Sequence, residues 1–141
     1  MDEFMRNATE PVQRALHHAA QAAKEAGRRG LTPPDMFRAL LDMPDGLHLR
    51  FLADALHLDL NKLRTLAREW GLPSGPEHDW TMMILANVAA EAALDRRRLI
   101  NTEDVLLALL RVWPEAPCSI AIIKAAGGTI HHVRCLISEH G

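Results

Sequence analysis

The sequence predicts an all-α protein: eight helices, arranged as two four-helix repeats related by a pseudo-twofold and packed into one domain. Three observations carry this. Leu and Ala dominate the apolar residues, Tyr is absent and aromatics are 4% of the chain; Leu and Ala are strong helix formers, whereas strands favour β-branched and aromatic side chains. The apolar residues recur at helical spacing. The chain then repeats both its apolar spacing and its punctuation after 69 residues.

At 141 residues the chain is long enough to bury a core without staples. Hydrophobic residues make up 48% and charged residues 24%, a globular balance rather than a disordered one. The net charge is −2 with His neutral, and acidic and basic residues are interspersed. That is unlike the basic footprint of a dedicated nucleic-acid binder. Met1-Asp2-Glu3-Phe4 has neither the basic nor the apolar region of a signal peptide. The apolar run from Val105 to Leu110 is too short to span a bilayer. Two cysteines, Cys118 and Cys135, make no disulfide framework, so a reducing cytoplasm is the expected home.

A shift of 69 residues lays the segment from Leu31 to Leu41 on that from Ile100 to Leu110. Under the same shift Leu16 meets Leu85, Ala20 meets Ala89, Ala23 meets Ala92, and Arg28-Arg29 meets Arg97-Arg98. One inserted residue moves the shift to 70, so that Pro44 meets Pro114, Leu52 meets Ile122, Leu60 meets Ile130 and Leu63 meets Val133. Repeat one is therefore expected over 8–71, a linker over 72–77 and repeat two over 78–141, the whole of 1–141 forming a single domain. About 65 residues alone make a marginal core, which favours one composite unit over two beads.

The elements follow in order. Val12, Leu16, Ala19, Ala20 and Ala23 form one helical stripe, with Thr9 as its N-cap and Glu10 and Pro11 suited to the first turn. Gly27 and Gly30 end it. Thr32 caps the second helix, with Pro33 first and Asp35 placed to close a capping box; Asn101 and Asp104 repeat this in the second copy. Pro44 and Gly46 break the chain before a third helix over Leu47 to His57. Asp59 caps a fourth that turns Leu60, Leu63, Leu66 and Ala67 inward. Its counterpart starts at Thr129 after Gly127-Gly128, carrying Ile130, Val133, Leu136 and Ile137.

This doubled pattern resembles the Clp N-terminal repeat, the domain that precedes the ATPase modules of Clp-type AAA+ unfoldases. Thr102-Glu103-Asp104-Val105-Leu106-Leu107-Ala108-Leu109-Leu110 matches the family's Thr-Glu segment closely, and the stretch from Pro33 to Leu41 matches it more loosely. Leu56-His57-Leu58-Asp59-Leu60 with Leu63 is similar to the family's loop into its fourth helix. The resemblance covers nearly the whole chain. It implies a non-catalytic module that recruits substrates and adaptor proteins to an unfoldase, as a chaperone or in ATP-dependent proteolysis. No Gly-x-x-x-x-Gly-Lys-Ser/Thr loop is present to cradle ATP phosphates. The chain ends at Gly141, with the second repeat: it is either a free-standing relative, acting as adaptor or decoy, or a piece of a longer unfoldase. Some family members bind phosphoarginine through a Thr near each repeat's start and a Glu in the Thr-Glu segment, a carboxylate matching a guanidinium. By position, repeat one keeps Thr9 but has Pro34 for the Glu; repeat two keeps Glu103 but has His78 for the Thr. Each copy retains half of such a site.

Glu103 is a candidate recognition carboxylate, set against its plainer role as a first-turn Glu favoured by the helix dipole. Arg28-Arg29 and Arg96-Arg97-Arg98 are expected to be solvated and dipole-compensating. His17-His18 and His131-His132 are adjacent pairs whose side chains diverge on a helix, and His131 with Cys135 lacks further ligands. No metal, cofactor or nucleophile motif is therefore expected. Cys118 follows Pro117 near a helix start, where a lowered pKa is conceivable. Met36 is expected in the core, and at least one of Met82 and Met83 outside it, where thioethers make adaptable surfaces. Trp70, Trp80 and Trp113 are anchor candidates; Trp70 and Trp80 flank the linker and are expected to plug the seam between repeats.

The expected function is thus a non-enzymatic docking module for an adaptor, a substrate protein or a Clp-type unfoldase, monomeric when isolated, with no nucleic acid or membrane partner. Docking is expected at the seam and at the helix starts, through Thr9, Thr32, Trp70, His78, Trp80, Thr102 and Glu103. A helical DNA-binding regulator and a metal- or cofactor-binding bundle are the rival classes.

Overall fold

The helices beginning at Pro33, Leu60, Thr102 and Ile130 start where a side chain accepts from their unpaired N–H donors. In the computed structural model, which describes residues 2–71, 79–94 and 99–140, α1 spans Asp2–Arg6, α2 Glu10–Glu25, α3 Pro33–Asp42 and α4 Leu47–Arg50. Helix α4 runs on as a π-helical turn over Phe51–Ala55, followed by α5 at Leu60–Glu69. The second half contributes α6 at Thr81–Leu94, α7 at Thr102–Val112, α8 at Pro117–Ala126 and α9 at Ile130–His140. The expected linker at 72–77, His78, and Arg96, Arg97 and Arg98 lie outside the described residues.

Thr32 and Asp35 close the expected capping box at α3, as Asn101 and Asp104 do at α7. The Asp59 carboxylate accepts from the N–H groups of Asn61 and Lys62 at 2.9 and 3.4 Å, and Thr129 Oγ1 accepts from His132 N–H at 3.2 Å. Thr9 sits at the N-cap of α2 with extended backbone, but its hydroxyl makes no cap bond. The short α1 was not expected; five residues are too few to show a helical stripe. The third helix was expected to be regular to His57. Instead Leu56 N–H reaches Phe51 C=O across five residues, and the chain turns out at His57 with φ 55°.

Helices α3 and α7 form the centre. Helix α7 is buried without a break from Thr102 to Leu110, and α3 over Pro33–Leu41 except at Arg38. A helix apolar all round is stable only when packed on all sides, and α7 is, against α2, α3, α4, α6, α8 and α9. Contacts between the halves are reciprocal: α3 meets α7, α5 of the first half packs on α8 of the second, and α9 of the second packs on the π-helical turn of the first. A twofold relation requires such exchange. One core cluster spans both halves, with Val12, Phe51 and Leu52 from the first and Leu109, Leu110 and Ile122 from the second at 0% exposure; each such side chain contributes about 2 kcal/mol.

Arg28 departs from its expected solvated role. Gly27, at φ 76°, turns the chain back so that Arg28 N–H bonds Ala23 C=O at 3.0 Å. The guanidinium then lies under the turn, paired with Asp35; the side chains are 1% and 0% exposed. Arg29 next to it is exposed, as expected. A second buried charge, Glu91 on α6, takes Arg111 of α7 and Arg134 of α9 at 2.5 and 2.7 Å. No helix described is long and apolar enough to cross a membrane.

Candidate docking surface

The seam between the halves is closed at both ends by main-chain hydrogen bonds. At one end Thr9 N–H donates to Ile100 C=O at 2.9 Å and Ile100 N–H to Asn7 C=O at 2.7 Å. At the other, Trp80 N–H donates to Leu31 C=O at 2.8 Å, and Leu31 N–H reaches Thr81 Oγ1 at 2.9 Å. Asp79 Oδ1 accepts from Thr81 N–H at 2.9 Å. Hydrogen bonds from the Thr81 hydroxyl and N–H hold the Asp79 carboxyl below its ordinary pKa, with Arg29 adding a weaker pull.

Beside the Thr9 end a groove of about 300 Å³ runs between α1 and α6, lined by Phe4, Asn7, Met82, Leu85, Ala86 and Ile100. Both halves supply its walls. Met82 is 72% exposed and Met83 48%, so both methionines face solvent. Met36 is in the core, as expected. A larger groove of about 600 Å³ lies wholly in the second half, with Leu110, Pro114, Ile120, Ile123, Lys124 and Ile130 in its walls.

The candidate residues divide by burial. Thr9, Trp70 and Trp80 are half-buried, whereas Thr32, Thr102 and Glu103 are 0%, 2% and 5% exposed. His78 lies outside the described residues. Trp70 packs edge-on against Phe37, ring centroids 5.8 Å apart at 66°, and its carbonyl accepts from Arg38 at 3.3 Å. The rings of Trp70, Trp80 and Trp113 all lie against the core. Thr9 and Glu103 start helices in different halves, and Pro34, in the Glu position of repeat one, is buried.

The buried groups missed in the sequence are ionic or imidazole. Glu91 occupies a position whose counterpart in the first half is Ala22, so the repeat hides it. His48, 0% exposed, donates from Nε2 to Leu40 C=O at 2.7 Å; burial lowers its pKa, partly offset by that bond. At Cys118 the pKa moves up, not down. Its thiol donates to Leu63 C=O at 3.4 Å and burial pushes its pKa up to about 11; desolvation of the thiolate outweighs the nearby helix start. Among the described residues no three His, Cys, Asp or Glu side chains converge to hold a metal ion.

The sequence profile of the Clp repeat (R) N-terminal domain matches residues 7–113, well over half of the chain. No curated protein matches it. A solved structure described as "Peptide from EAEC T6SS Sci1 SciI protein" shares its fold, with a TM-score of 0.73 at 17% identity over 99% of this chain and 94% of that one.

Proposed function

The chain belongs to the Clp repeat N-terminal domain family, and from that premise we propose that it is a non-catalytic docking domain that presents substrate or adaptor proteins to a Clp-type unfoldase, or binds such an unfoldase. The unit is one double-repeat domain, with repeats at 8–71 and 78–141, working in the cytoplasm beside a chaperone or ATP-dependent protease.

The carrying observation is the groove at the seam, where Met82 stands 72% exposed above walls drawn from both halves. Exposed thioethers repack around varied apolar side chains at little cost, and a groove made by two elements is where an apolar anchor loses most water. Thr9 acts on this groove through its N–H bond to Ile100, which lines it; Trp70 and Trp80 offer a half-buried apolar rim elsewhere. Thr32, Thr102 and Glu103 act on docking through the helices they start, because they are buried. No observation favours the DNA-binding or cofactor-binding readings.

The test is affinity capture from source lysate with the whole chain as bait. Clp-type unfoldase subunits, their adaptors or substrates are expected on the bait, lost with Met82→Glu and kept with Ile120→Glu, which alters the other groove. Capture unaffected by Met82→Glu, or absent with the unaltered chain, overturns the reading.

A further inference from the structure

On α9, His131 and Cys135 are four residues apart and both exposed, and Nε2 of the imidazole lies 3.5 Å from Sγ of the thiol. We propose that this pair is a two-point chelating site for a borderline-soft divalent cation of the Zn²⁺ class, with water in the remaining positions.

The geometry is that of a chelate bite. A tetrahedral Zn²⁺ binds sulfur at about 2.3 Å and nitrogen at about 2.0–2.1 Å, which sets the two donors about 3.6 Å apart. The observed 3.5 Å needs almost no movement of either side chain. Spacing of four residues places both on one helical face, one turn apart. Imidazole and thiolate together select zinc-like cations over Mg²⁺ or Ca²⁺, which prefer oxygen. His132 next door is engaged elsewhere, its Nδ1 lying 3.0 Å from Thr129 Oγ1. Glu139 lies four residues beyond Cys135 and is exposed; among the described residues no third His, Cys, Asp or Glu side chain joins the pair.

The ligand exchange balances simply. The hydrated cation loses two waters, neutral His131 gives its Nε2 lone pair, and Cys135 gives its thiolate, the thiol proton passing to solvent. Binding therefore releases the thiol proton. Cys118, buried with its pKa near 11, takes no part and serves as the internal control.

The experiment uses the whole chain, reduced and oxygen-free, titrated with Co²⁺ as a coloured probe and then with Zn²⁺. A thiolate-to-Co²⁺ charge-transfer band is expected, displaced by Zn²⁺, abolished in Cys135→Ser, and kept in Cys118→Ser. His131→Ala is expected to weaken Co²⁺ binding severalfold while helical circular dichroism stays unchanged. No band in the unaltered chain, a band that survives Cys135→Ser, or unchanged Co²⁺ affinity in His131→Ala overturns the proposal.

Discussion

The main-chain N–H of Trp80 donates to the carbonyl of Leu31 at 2.8 Å, and this bond has a partner at the opposite end of the seam, from Thr9 N–H to Ile100 C=O at 2.9 Å. Leu31 and Ile100 are the residues that the 69-residue shift superposes. Leu31 accepts from the residue just before α6, and Ile100 from the residue just before α2. The donors are 71 residues apart rather than 69, because α6 starts two residues later in its repeat than α2 does. The buried faces nevertheless keep the 69-residue register: Ala15, Leu16, Ala19 and Ala23 answer to Ile84, Leu85, Val88 and Ala92.

At the Trp80 end Gly30 is set so close to Asp79 and Thr81 that a β-carbon there would strike the Asp79 carboxylate and the Thr81 hydroxyl. Gly30→Ala is expected to displace them, removing the cap on α6 and the bond to Leu31 N–H. A loss of about 1–2 kcal/mol follows from one or two hydrogen bonds. Urea unfolding measures it, and an unchanged midpoint would count against the seam as drawn.

The Arg28–Asp35 pair is almost wholly out of water. Arg28→Ala leaves a buried carboxylate, a change expected to cost about 3–5 kcal/mol. The neighbouring Arg29→Ala, at an exposed site, is expected to shift stability by less than about 0.5 kcal/mol. Denaturant titration of the two variants side by side decides this.

The two thiols are expected to behave oppositely. Cys135 is exposed and Cys118 buried, so a thiol reagent should label one cysteine in the folded chain and two after unfolding. The Cys118 pKa rises from 9.0 to about 11 on folding, so the folded chain holds a proton that the unfolded chain releases. Its contribution to stability is fully present below pH 9 and declines as pH rises through 11. Cys118→Ala is expected to flatten the alkaline limb of the stability curve; an identical slope in both proteins would refute the assignment.

His48 works in the other direction. Its pKa is lowered below 6.5 by burial, so on acidification the unfolded chain takes up a proton that the folded chain refuses. Stability from neutral His48 is present above pH 6.5 and falls as the pH drops through the lowered value. His48→Gln, which can keep the bond to Leu40 C=O, is expected to show a shallower loss as the pH falls below 6.5. Thermal melts across that range provide the measurement.

The helices, their starts and the duplication were legible along the chain, because helical spacing and capping are local. Thr32, Asp59 and Asn101 announce their helices within three or four residues, and the recurrence of Leu31–Leu41 at Ile100–Leu110 needs only a ruler. Which charged residues would be buried was not local. Arg28 and Glu91 look like surface residues until Gly27 folds one back beneath its turn, and Arg111 and Arg134 arrive from two other helices to meet the other. The groove between α1 and α6, the raised pKa of Cys118 and the 3.5 Å bite of His131 and Cys135 likewise depend on how elements or rotamers meet. Periodicity specifies which face of a helix turns inward; desolvation, pairing and cavity shape are set only when another helix covers that face, and that is decided by tertiary packing.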